Sequence, residues 1–108
     1  MAKYLIQANY VGEGLKGLLK EGGSARRAAV EKLFASVGGR VEAFYYAFGK
    51  TDLFVIADFP DNVSAAAVSL TVSAAGTSTV RVTVLLTAEE LDAVTKLKPS
   101  FRPPGGAA

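Results

Sequence analysis

Residues 39–59, GRVEAFYYAFGKTDLFVIADF, decide the fold of this 108-residue chain. Val41, Phe44, Tyr45, Tyr46 and Phe48, followed by Phe54, Val55, Ile56 and Phe59, are the β-branched and aromatic types that suit a pleated, half-buried surface. They predict two strands, residues 41–48 and 51–59, joined by a turn at Gly49 and Lys50. In the second strand both alternating sets are apolar: Leu53, Val55, Ala57 and Phe59 on one face, Phe54 and Ile56 on the other. Such a strand belongs in the middle of a sheet covered on both faces. The reading therefore asks for helices on one side and a second cover on the other.

Toward the N-terminus, residues 3–10 alternate as a strand, with Tyr4, Ile6, Ala8 and Tyr10 on one face and Leu5, Gln7 and Asn9 on the other. Residues 13–20 carry Leu15, Leu18 and Leu19 at helical spacing until Gly22 and Gly23 interrupt, and Ser24 is the expected cap of a new helix. That helix, 24–37, has Ala25, Ala28, Ala29, Leu33, Phe34 and Val37 as its expected buried stripe, and Gly38 and Gly39 stop it. Toward the C-terminus, Pro60 and Asp61 open another helix with Asp61 or Asn62 as cap and Val63, Ala66, Ala67, Leu70 and Ala74 as its expected buried face; Gly76 ends it. Residues 78–86 alternate strictly, Val80, Val82, Val84 and Leu86 against Thr79, Arg81, Thr83 and Leu85. Thr87–Glu90 is a capping box opening a short helix through Leu91 and Val94.

Strand, helix, strand, strand, helix, strand and a terminal helix make an α+β chain: a ferredoxin-like βαββαβ sandwich with an antiparallel sheet, plus a short C-terminal helix. Residues 1–98 form the domain; 99–108 are a Pro/Gly-rich tail, irregular unless a partner holds it. Right-handed crossovers put both long helices on one side of the sheet. The other side carries Leu5, Gln7, Asn9, Arg81, Thr83 and Leu85, a partly apolar face that needs a cover. A homodimer with two sheets packed face to face is the expectation, with larger multiples of dimers open.

Composition narrows the chemistry. Half the residues are hydrophobic and 20% are charged, as in a globular domain. A net charge of +2 with scattered signs speaks against nucleic acid as partner, despite a pI near 9.0. No apolar run is long enough to span a bilayer, and no leader is visible, so no membrane partner and a cytoplasmic location are expected. Cysteine is absent, which removes disulfides and thiolate metal sites. Histidine is absent too. With it go the usual zinc ligand sets, the Ser-His-Asp and Cys-His nucleophiles and the commonest neutral-pH base. No metal site is expected, and no cofactor can be named from the residues.

Four segments also carry a family resemblance: KYLIQANYVGEGLKGLLKEGG from Lys3, RRAAVEKLFASVGGRVEAFYYAFGKTD from Arg26, IADFPDNVSAAAVSL from Ile56 and TVLLTAEEL from Thr83. Together they resemble the GYD-domain family of small bacterial and archaeal proteins. The resemblance implies a dimeric α+β barrel and supplies no molecular function. The family's signature is glycine, any residue, tyrosine and aspartate at the hairpin turn. Gly49, Lys50 and Asp52 fit it here, while Thr51 stands in the tyrosine's place. Related barrels bind small ligands between helices and sheet, and some perform oxygenation or haem breakdown there; without histidine the haem-degrading version lacks its usual axial ligand.

The candidate ligand-binding residues are Tyr10, Arg26, Tyr45, Tyr46, Asp52 and Arg81, with Gly49 and Asp52 as the hairpin motif. Each has a structural reading beside the functional one. Asp52 can face a pocket or satisfy turn amides. Tyr45 and Tyr46 point to opposite faces, so at most one lines a given pocket, and sheet tyrosines commonly serve packing. Arg26 and Arg27 follow a helix start that could hold an anion, or form a solvated helix face. Arg81 needs a partner under a dimer cover, and Glu42 can supply it only if the register allows. Gly49–Thr51, GKT, is no phosphate loop, because Phe44 stands where the first glycine is required and a strand follows. Two classes of function result. One is a homo-oligomeric binder of a small anionic or aromatic molecule, with a cofactor-independent monooxygenase-like enzyme as its catalytic variant. The other is a non-enzymatic assembly module.

Overall fold

A computed structural model of the chain describes residues 1–106. Its elements are β1 (Ala2–Tyr10), α1 (Glu13–Glu21), α2 (Gly23–Ala35), β2 (Arg40–Tyr46), β3 (Leu53–Phe59), α3 (Asn62–Ala75), β4 (Ser78–Leu85) and α4 (Ala88–Lys96). The strands form one open antiparallel sheet in the order β2-β3-β1-β4, so β3 is interior, as its two apolar faces require. The two C-terminal residues expected at the end of the tail lie outside the described residues.

The core sits between α2, α3 and one face of the sheet. Tyr4, Ile6 and Ala8 of β1 and Leu53, Val55, Ala57 and Phe59 of β3 are buried there with Phe34, Phe44, Ala65 and Val68. Phe59 anchors it, with the Tyr4 ring edge-on at 5.6 Å and the Phe34 ring at 5.0 Å between centroids. The Tyr4 hydroxyl reaches the far side of the core and donates to Asn62 Oδ1 at 2.6 Å, so its burial leaves no polar atom unpaired. No helix among the described residues is long and apolar enough to cross a membrane.

Several local expectations are corrected. The hairpin turn is not two residues: β2 ends at Tyr46, and the loop of residues 47–52 is closed by Ala47 N–H donating to the Asp52 carbonyl at 2.8 Å. Asp52 N–H donates in turn to the Ala8 carbonyl at 3.1 Å, which ties the loop to β1 as well. Ser24 caps nothing; α2 starts at Gly23 with Gly22 before it, because Gly22 at φ 87° makes the corner between α1 and α2. In α2 the inward side is Val30, Leu33 and Phe34, continued by Val37 beyond its end, while Ala25, Ala28 and Ala29 are exposed. The largest correction concerns α3. Ala65, Val68 and Val72 meet the core, whereas Val63 and Leu70 are 77% and 70% exposed. This helix has no charged residue and is apolar on every side, so its sequence marks no inward face. Its ends were legible: Asp61 Oδ1 accepts from Ser64 N–H at 2.9 Å, and Gly76 closes it at φ 77°.

A bulge in β2 between Val41 and Ala43 turns Glu42 toward the open face, as the register anticipated by strand alternation would not. Glu42 pairs there with Lys3 at 2.8 Å and does not serve Arg81, which lies toward the other end of the sheet.

Candidate ligand cleft

At the end of the sheet where β1 and β2 finish, the α1–α2 corner arches over the loop of residues 47–52. The space between is a cleft of about 600 Å³ walled by Leu15, Leu18 and Leu19 of α1, the Gly22–Gly23 corner, Tyr10, Tyr46, Phe48 and Asp52. Behind Tyr10 lies a second cavity of about 90 Å³ between helices and sheet, lined among others by Arg26, Val30, Phe34, Val55 and Val80. Tyr10 borders both. It also borders a third hollow, shared with Arg26, Glu21 and Ser78 on the flank of α1.

Each polar group has a definite setting. The Tyr46 ring stands edge-on to Phe44 at 5.2 Å, Arg27 covers Phe44 from outside at 5.8 Å, and the Tyr46 hydroxyl donates to the Gly23 carbonyl at 2.9 Å. A Cβ on Gly23 would come within 2.9 Å of that ring, so the glycine corner is what lets the phenol lie across it. Desolvation, then the neighbouring Tyr10 hydroxyl, push the Tyr46 phenol above its ordinary value, against a weaker opposite pull from Arg26. At neutral pH Tyr46 is a hydrogen-bond donor and not a phenolate. Arg26 is half-buried beside Tyr10, with Glu21 3.6 Å away, a distance that leaves the guanidinium able to meet another anion.

Asp52 does both of the things weighed for it. Its Oδ2 accepts from Tyr10 N–H at 2.9 Å, which is the structural role, and the residue also lines the cleft. Thr51, in contrast, is 7% exposed and faces away: its hydroxyl accepts from Arg81 Nη2 at 3.0 Å on the open face of the sheet. Arg81 also donates to Asn9 Oδ1 at 3.4 Å, and Asn9 donates to the Lys50 carbonyl at 2.8 Å. The signature turn is thus stitched to β1 and β4 by side chains. Of the candidates, Tyr10, Tyr46 and Asp52 line the cleft, and Arg26 lines the two smaller hollows that share Tyr10 with it; Tyr45, paired opposite Phe54, and Arg81 lie on the other face.

The chain matches the family model of the GYD domain over residues 4–95. It belongs to the GYD-domain family. No curated protein and no solved structure matches it. The family match takes in β1 from Tyr4 onward, the other three strands and all of α1, α2 and α3, so both walls of the cleft lie inside the GYD domain.

Sequence reasoning missed the apolar wall of this cleft. The helical spacing of Leu15, Leu18 and Leu19 assigns them no role; α1 buries none of its residues and turns that face to the cleft. The available signal was α1 itself, a nine-residue helix broken by Gly14 and Gly17 and set off by Gly22–Gly23. Phe48 was counted as a strand residue; it is fully exposed at the cleft rim. Among the described residues, no group of three or more carboxylates could hold a metal ion.

Proposed function

We propose that this GYD-domain protein binds a small molecule in the Tyr10–Tyr46 cleft, and that it does so as a ferredoxin-like unit paired through its open sheet face, the dimeric α+β barrel arrangement. The observation that carries the reading is the corner at which an apolar cleft, a neutral phenol and a glycine-lined backbone meet, with the half-buried Arg26 guanidinium in the adjoining cavity behind Tyr10. Apolar walls with a few placed polar groups are what a ligand site requires. Aromatic faces on Tyr10, Tyr46 and Phe48 suit a flat ring, and Arg26 suits a carboxylate or similar anion. The pairing through the sheet is supported by the strand order and by Leu5, Phe54 and Ile56 lying on the uncovered face. A cytoplasmic protein fits the absence of cysteine.

Binding fits the site better than catalysis. Histidine is absent, Tyr46 holds its proton, and Asp52 commits one oxygen to a backbone amide. The assembly-module reading has its own support, the projection of α4 from the body, and is compatible with a ligand site. Native mass spectrometry of protein purified without added ligand tests the proposal. The expected spectrum is a dimer, or a multiple of it, carrying a defined extra mass. Arg26→Ala and Tyr46→Phe should lower that occupancy by on the order of tenfold each, the worth of one charge-assisted or buried hydrogen bond. An assembly with no extra mass that also fails to bind aromatic carboxylates by calorimetry would sink the reading.

A further inference from the structure

The chain carries an exposed helical ridge and, elsewhere on its surface, an apolar groove. The ridge is α4. Its capping box is complete, yet none of its residues is buried, and Leu91, Val94, Leu97 and, beyond it, Phe101 are all about half exposed or more. The molecule measures 61 × 30 × 23 Å with a radius of gyration of 17.6 Å. A compact chain of this length has about 13 Å. The C-terminal arm therefore stands clear of the body. Short isolated helices are marginal in water, so a nine-residue helix of this kind is stabilised by what its apolar face meets.

The groove runs between α3 and the β4 edge. Tyr4, Ala65, Leu70, Val82 and Val84 line a hollow of about 320 Å³, and the exposed Val63 continues the apolar surface along a helix without a single charge. The chain's own arm is directed elsewhere. Only Leu86 and Thr87 link β4 to α4, and Thr87 is extended at φ −73°, ψ 165°. Reciprocal bonds hold it so: Thr87 N–H donates to Glu90 Oε1 at 2.9 Å, and Glu90 N–H to Thr87 Oγ1 at 3.1 Å.

We propose that α4 of one copy docks into the α3–β4 groove of a second copy, reciprocally. A helix laid into an apolar groove is a recurrent recognition mode, with anchors at helical spacing such as Leu91 and Val94. A stable interface buries about 1,200–2,000 Å² in total, more than one short helix supplies, and two-fold exchange counts each arm and groove twice. The occupant is a second copy because the chain itself holds both halves of the contact and keeps them apart. This contact is separate from the ligand cleft and from the open sheet face.

The absence of cysteine makes the test clean. Leu70→Cys and Val94→Cys proteins are mixed and mildly oxidised, and a double Leu70→Cys/Val94→Cys protein is oxidised in parallel. The expected product is a heterodimer joined between positions 70 and 94, in excess of both homodimers. Homodimers and heterodimer in random-collision proportions would overturn the proposal, as would a bond within one chain in dilute double variant. Leu70→Arg gives an independent readout by sedimentation velocity. It should weaken one association step by on the order of a hundredfold, the effect of losing an apolar interface anchor, and leave pairing through the sheet face intact. Unchanged self-association in Leu70→Arg counts against the arm exchange.

Discussion

Asp58 shows how much one carboxylate can organise. It sits on the open face at the opposite end from the cleft, its side chain 8% exposed, with Lys3 Nζ at 2.9 Å and Arg40 Nη2 at 3.1 Å. Lys3 in turn holds Glu42 at the bulge. Three strands are tied through these four side chains. The Lys3 hydrogen bond, with help from Arg40 and against the cost of burial, keeps the Asp58 carboxyl below the usual carboxylate range. An unfolded aspartate titrates near pH 3.9, so the ionised group contributes stability above about pH 4, and the contribution is lost as pH falls through the lower folded value. Asp61 is shifted the same way by the Ser64 amide it caps. Asp58→Asn should therefore lower stability at pH 7 and flatten its fall below about pH 4, while the Asp61 contribution persists. Urea midpoints across that range check it; parallel curves for the two proteins would refute the role given to Asp58.

At the scale of elements, close approach at glycine sets where helices can lie. The chain leaves α2 and enters β2 through Gly38 and Gly39. A Cβ on Gly39 would meet the Phe59 ring at 2.5 Å and the Phe34 carbonyl at 3.1 Å. Phe59 is fully buried and cannot swing away. Gly39→Ala is expected to destabilise the fold by about 1–3 kcal/mol through overpacking, measured as a fall in urea midpoint at unchanged slope. Gly23 is the contrasting case, since its neighbour is the rim side chain Tyr46, which can give way. Gly14 faces a backbone group, the Thr77 carbonyl, and this contact fixes α1 against the start of β4. The cleft wall is thus positioned by α1 without α1 entering the core.

For the whole molecule the unresolved balance of surface is on the sheet. One face lies under α2 and α3, while Leu5, Phe54, Ile56 and Leu85 share the other with Gln7, Thr83 and Arg81. An antiparallel sheet whose second face carries a cluster of large apolar side chains among polar ones commonly acquires a cover. Phe54 lies on the interior strand β3, opposite Gln7 on β1 and Tyr45 on β2, so it sits near the middle of that face. If the copies pair through this face as proposed, Phe54→Glu should dissociate the dimer while retaining the far-ultraviolet dichroism of the native chain. An unaltered assembly mass in that variant would remove the face-to-face arrangement.

Alternation and glycine punctuation were enough to place the strands, the interior position of residues 53–59, the α3 cap at Asp61, its end at Gly76 and the capping box at Thr87, because these depend on local backbone chemistry. Composition alone excluded histidine and thiolate chemistry, and the GYD family was legible as a resemblance across four segments, with Thr51 in the signature tyrosine's place. Periodicity failed where the pattern had no contrast: α3 is apolar all round, and only its packing against β4 and β3 selects Ala65, Val68 and Val72 over Val63 and Leu70. The cleft depended on more distant relations. Tyr10 and Tyr46 end strands that are not neighbours in the sheet, Arg26 follows a glycine corner, and Leu15, Leu18 and Leu19 acquire their role only when that corner folds over the hairpin loop. Which side of the sheet each tyrosine and arginine occupies follows from strand pairing and the bulge at Glu42, and pairing is a long-range contact that no short window of sequence contains.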